Sequence, residues 1–122
     1  MKSASRIRSF GYAFSGLTYL IRTQPNARIH LGCAFAVIAL AAGLRVDSTS
    51  WALLVVAISM VWVGESLNTA IELILDLVHP ETHPLAKAAK DVAAAGVLLA
   101  AVSSTVIGLL VLGPPLWRML PG

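Results

Sequence analysis

Glu65, Asn68, Glu72 and Asp76 lie inside the apolar stretch WALLVVAISMVWVGESLNTAIELILDLV, at spacings of 3, 4 and 4. At about 100° per residue the four span an arc of roughly 80° on one helix face. Leu67, Ile71, Leu73, Ile74 and Leu75 occupy the other faces. A carboxylate at bilayer depth costs on the order of 3 kcal/mol even on lenient insertion scales. Three of them facing lipid would make the helix a poor candidate for insertion, so they must line a protein interior or a wet cavity. Glu72 and Asp76, one turn apart, could hold or support a divalent ion, because magnesium favours carboxylates, water and substrate phosphates. Glu65 stands two turns from Glu72, about 10 Å along the axis, a separation that suits a base set apart from a metal. Phosphoryl transfer needs positioning, a metal and a carboxylate that orients the attacking hydroxyl. The same groups could also serve a cation channel or a proton relay.

Composition fixes the setting. The chain has 122 residues, which favours one domain spanning 1–122. It is 57% hydrophobic and only 12% charged, about half the charge of an ordinary soluble domain. An integral membrane protein follows. The net charge of +3 contains no long basic run, so nucleic acid is not an expected partner. Cys33 is the single cysteine; it can form no intrachain disulfide and reads as a small buried hydrophobe. There is no Gly-Lys dipeptide for a P-loop, no zinc spacing, and neither GxSxG nor HExxH.

The segments that must position the polar face are legible from periodicity. In residues 1–24, Ile7, Phe10, Phe14, Leu17 and Ile21 repeat at 3, 4, 3 and 4, with Lys2, Arg6, Arg8 and Arg22 beside them. That pattern predicts a basic amphipathic helix lying in the headgroup plane, with Pro25 bending or stopping it. The uninterrupted apolar run of a signal peptide is absent there. Three spans follow: 27–46, with Arg28 and Arg45 snorkelling; 51–78; and 85–112, ended by Gly113-Pro114-Pro115. Asp47 to Ser50 supplies a turn and an N-cap for the second span. The 28 residues of that span reach about 42 Å, so its polar half can sit at the cytoplasmic boundary.

Lys2, Arg6, Arg8, Arg22, Arg28, Lys87 and Lys90 fall on one side of this topology; Arg45 and Arg118 fall on the other. The positive-inside rule places the N-terminus and the His79–Pro84 loop in the cytoplasm and the C-terminus outside. The short loop makes the second and third spans antiparallel neighbours. Lys87, Lys90 and Asp91 lie within about 100° of arc at the start of the third span, and Ala93-Ala94-Ala95-Gly96 permits close helix approach. Lys90 and Asp91 are therefore expected to face the acidic stripe, where a lysine would meet phosphate as a point charge. Taken singly, each group has a plainer reading: Asn68 as interhelical glue, the lysines as snorkelling orientation signals, Asp91 as a first-turn charge favoured by the helix dipole.

ESLNTAIELILDLV (65–78) and HPLAKAAKDVAAAGVLLAA (83–101) resemble the small prokaryotic diacylglycerol kinase and undecaprenol kinase family, through E-x-x-N-T-A-I-E-x-x-x-D and A-K-x-A-K-D. GYAFSGL (11–17) and NARIHL (26–31) extend the likeness over nearly the whole chain. The resemblance implies an all-α homotrimer with three transmembrane helices and an N-terminal surface helix in each chain. It implies active sites at subunit interfaces that use MgATP and a lipid alcohol. It matches Glu65 to the catalytic base, Glu72 to a metal ligand, and Asn68, Asp76, Lys90 and Asp91 to the nucleotide and catalytic pocket. Arg6 or Arg8 corresponds to a nucleotide-binding basic residue. One position departs: the family often carries a second metal-binding glutamate where this chain has Gln24. Either metal is held more weakly, or Asp76 or Asp91 supplies the missing charge, or the correspondence shifts by one residue. The expected activity is transfer of the ATP γ-phosphate to a lipid primary hydroxyl in the inner membrane, with undecaprenol favoured and diacylglycerol close behind. The rivals are a small oligomeric cation or proton channel, and a membrane assembly protein weakened in catalysis.

Overall fold

The structure, a computed structural model, describes residues 3–121. Four helices follow in order: α1 (Ser3–Thr23), α2 (Pro25–Leu44), α3 (Ser48–Val78) and α4 (Pro84–Met119). Among the described residues there is no strand. Lys2, one of the basic residues counted above, lies outside this range.

The helix ends have local causes. Pro25 holds Gln24 in an extended conformation (φ −110°, ψ 109°), which stops α1 at Thr23. The same proline then starts α2 at its first position, where no N–H is needed; the span begins two residues earlier than 27. α2 closes at Leu44, with Arg45 in the left-handed region (φ 54°, ψ 49°). Arg45 N–H donates to Ala42 O and Val46 N–H to Ala41 O, a Schellman closure with arginine where glycine is usual. Asp47 accepts a 2.9 Å bond from Ser50 N–H and caps α3 as expected. His83 caps α4 in the same way, its Nδ1 accepting from Leu85 N–H at 3.1 Å.

α4 corrects one expectation. Gly113-Pro114-Pro115 does not end the helix, which runs on to Met119. Two prolines remove the N–H groups that would bond the Leu110 and Val111 carbonyls, but their fixed φ is itself helical. Leu112, buried against Ala41 and Leu54, anchors the chain just before them.

α3 and α4 form a long antiparallel hairpin and make the dominant helix pair; α2 touches both, and α1 packs against α2 and α3. Small residues set the hairpin spacing: a methyl group on Gly64 would stand 3.7 Å from Ala100 Cβ and 3.7 Å from Val97 Cα, ordinary contact distance. Ser104 Oγ of α4 donates to Ala57 O of α3 at 2.7 Å. At the end remote from the α3–α4 loop, Ala41, Leu54 and Leu112 form a buried cluster walled by Val37, Leu44 and Trp51.

α2, α3 and α4 are each long and apolar enough to cross a membrane. Their outward faces remain greasy: Phe35, Val55, Leu67, Leu99 and Leu110 are all exposed. Water would penalise that surface heavily, and hydrocarbon does not. This is a multi-pass membrane protein. The apolar stripe of α1 is uncovered as well, at Ile7, Phe10 and Phe14.

Candidate functional site

The polar stripe of α3 grades from buried to open. Glu65 is only 3% exposed, Asn68 and Glu72 are half-buried, and Asp76 is exposed near the loop. Asn68 Nδ2 donates to Glu72 Oε1 across a long 3.4 Å. Lys90 of α4 reaches back to Asp76, Nζ to Oδ1 at 2.7 Å, so the expected meeting of the third span with the stripe is present there. Asp91 turns to its own helix instead and pairs with Lys87 at 2.7 Å, four residues before it.

The residues expected from α1 and its junction form no hydrogen bond or ion pair with this group among the described residues. Arg6 and Arg8 are exposed on α1, and among the described residues no hydrogen bond or ion pair ties them to α3. Gln24 is half-buried, its side chain donating to Thr23 Oγ1 at 3.4 Å. Arg28 donates to the Ile21 and Arg22 carbonyls at 3.3 and 3.2 Å, closing the end of α1.

Two groups complete the buried end of the stripe and were not anticipated. His30 of α2 places Nε2 3.2 Å from Glu65 Oε1. The contact is close without being a formed hydrogen bond, and Oε1 has no hydrogen-bond partner. Thr69, one turn beyond Glu65 and 4% exposed, leaves its Oγ1 unpartnered as well, and Asn68 Oδ1 is the third such atom. An orphaned buried polar group costs about 1–3 kcal/mol. Three of them within five residues are a concentration that packing alone does not explain. The Glu65–Thr69 spacing of four was a signal in the sequence. For His30 there was none beyond a lone histidine in an apolar span.

Beside His30 an apolar cavity of about 480 Å³ opens between α2, α3 and α4, lined by Val37, Leu40, Val61, Trp62, Ser104 and Leu112 among others. Among the described residues no three His, Cys, Asp or Glu side chains converge as a metal cage. Magnesium does not need one, since it is commonly held by one or two carboxylates plus waters and the phosphates of its co-substrate. Glu72, with the unpartnered Asn68 oxygen next to it, fits that habit.

The family model for prokaryotic diacylglycerol kinase matches residues 11–112. A diacylglycerol kinase of Synechocystis is 42% identical over 113 residues, covering 92% of this chain; the chain spans 65% of that relative's length. An undecaprenol kinase of Bacillus subtilis is 39% identical over 109 residues and 89% of each chain. A diacylglycerol kinase of Escherichia coli is 30% identical over 100 residues and 82% of each chain. The matched region holds all four residues of the α3 stripe, His30 and Lys90, and the chain belongs to the prokaryotic diacylglycerol kinase family, a family of lipid kinases.

Proposed function

We propose that the chain phosphorylates a membrane lipid alcohol with ATP, using the α3 stripe as its reaction centre. The observation that carries this reading is the buried, hydrogen-bond-deficient end of the stripe: Glu65 Oε1, Asn68 Oδ1 and Thr69 Oγ1. Such groups persist where a ligand or a reaction completes them.

The lipid hydroxyl oxygen bonds to the γ-phosphorus while the bond to the β–γ bridging oxygen breaks. ADP leaves, and the hydroxyl proton passes to the Glu65 carboxylate. Glu72, with amide oxygens from Asn68 and Gln24, would hold magnesium, which supplies charge neutralisation on the phosphates when bound. Lys90, poised on Asp76 at 2.7 Å, exchanges a carboxylate for phosphate charge. Asp76 and Asp91 border the nucleotide, and Arg6 or Arg8 meets its distal part. ATP arrives from the cytoplasmic side, where the α3–α4 loop lies; the lipid enters from the bilayer, with its chain in the apolar cavity beside His30. The N-terminus is cytoplasmic, the C-terminus is outside, and the membrane is the plasma (inner) membrane. The active assembly is a homotrimer, and neighbouring copies cover part of the exposed apolar surface.

Undecaprenol is the favoured acceptor, as the likeness of NARIHL and the HP-x-AK loop to the undecaprenol kinases of the family implies, with diacylglycerol next. A cation pore is disfavoured by Lys90, whose ammonium sits on the acidic stripe at its open end and would repel a permeant cation.

Purified protein is incubated with γ-labelled ATP, magnesium and either undecaprenol or diacylglycerol. Label in the lipid phase is the expected result, stronger with undecaprenol. Label with diacylglycerol alone reverses the substrate preference, and no label with either defeats the kinase reading.

A further inference from the structure

Glu65 is asked to accept a proton while held almost fully out of solvent, and its own helix gives Oε1 no donor. A carboxylate in that state has no fixed orientation except through its neighbours. The group from another helix that the structure places against it is His30, with Nε2 at 3.2 Å. His30 is partly exposed and lines the apolar cavity between α2, α3 and α4. It thus touches both the base and the space beside it.

We propose that His30 is a positioning residue for Glu65: its Nε2–H fixes the carboxylate rotamer, turning one oxygen toward the lipid hydroxyl. The inference rests on the kinase reading above. The ring is close to Oε1 without a formed hydrogen bond. Hydrogen bonds of a reaction centre are often long or bent before substrate arrives and tighten in the loaded complex. The α2 frame supports such precision, because Ala27, one turn before His30, is fully buried. A donor at this point also offsets part of the cost of the buried anion, since hydrogen bonds to charged groups are the stronger class.

The chemistry needs an N–H at the reach of Nε2, not an imidazole as such. Glutamine carries its amide nitrogen about that far from the backbone; asparagine stops roughly one bond short; leucine fills similar volume with no donor. His30→Leu, His30→Gln and His30→Asn are assayed beside the wild-type protein with γ-labelled ATP, magnesium and undecaprenol or diacylglycerol. His30→Leu should lower kcat by about 10- to 100-fold, the range for misplacing a catalytic group, with KM for ATP within about two-fold of wild type. His30→Gln should recover most of the loss and His30→Asn should not. If His30→Leu fails to assemble, the Gln-versus-Asn ratio carries the test.

Wild-type kcat in His30→Leu overturns the proposal. So does equal activity in the Gln and Asn variants, or a loss in His30→Leu that glutamine does not relieve. A wild-type protein that labels neither lipid defeats the kinase reading itself and this inference with it; activity in the wild type with unaltered variants defeats only the role of His30.

Discussion

One face of α3 is buried from Leu54 to Thr69, yet its two halves do opposite things. Leu54, Ala57, Val61, Glu65 and Thr69 recur at spacings of 3, 4, 4 and 4 and are the buried residues of the helix. The first three are apolar and pack with α2 and α4; Leu54 joins Ala41 and Leu112 in the closed cluster. The last two carry oxygen atoms that nothing satisfies. Geometry and burial continue unbroken across Val61 to Glu65, and only the chemistry changes. One half thus stabilises the bundle while the other costs free energy that the first must offset. Natural proteins place such costs at reaction centres.

Leu54→Ala attacks the stabilising half. Leu54 is 2% exposed. In a bilayer or micelle the transfer term shrinks, because acyl chains are as apolar as leucine. The cavity and lost dispersion contacts remain, and a loss of about 2 kcal/mol is expected. Unfolding in detergent micelles checks it, and activity per folded molecule should stay near wild type.

Lys90→Met tests the open end of the polar half. Lys90 and Asp76 are both substantially exposed, so their pair contributes little to stability. The expected result is a fall in kcat/KM for ATP of about 10- to 100-fold, as for loss of one hydrogen bond to a charged group, with an unchanged melting transition. Arg45→Gly probes the turn between α2 and α3, where φ is 54°. Glycine removes the left-handed penalty but loosens the unfolded chain, so stability should move by less than about 1 kcal/mol, with no effect on activity.

The smallest effect belongs to Asp47. Hydrogen bonds from the Ser50 side chain and then its backbone N–H hold the carboxyl below its ordinary value of 3.8. A carboxyl whose value is lower in the folded state stabilises above its unfolded value and loses that contribution as pH falls through the folded one. The cap should therefore hold at neutral pH and fade below about pH 4. The acid-side difference between wild type and Asp47→Ala measures it and should close as pH drops.

Much of this architecture is legible in the sequence. Apolar length announced three spans, Asp47 its cap, and the 3-4-4 spacing the polar face. The six-residue loop from His79 to Pro84 forced α3 and α4 together, which is why Lys90 could be placed against Asp76. What could not be read depended on tertiary placement. A one-sided stripe says that Glu65 needs cover but not which helix provides it, so His30 stayed hidden. Arg45 in a left-handed cap breaks a local preference that neighbouring packing overrides. Pro114-Pro115 looked terminal because local rules weigh lost N–H groups, whereas the anchor at Leu112 comes from α2 and α3.

Glu65→Gln in the intact membrane protein probes the buried carboxylate most directly, with melting temperature and lipid phosphorylation measured on the same preparation. A melting temperature equal to or above wild type is expected, since glutamine fills the same buried site with no carboxyl group left unpartnered, together with loss of at least about 100-fold in lipid labelling. Wild-type labelling in that variant, or a clear fall in melting temperature, would contradict it.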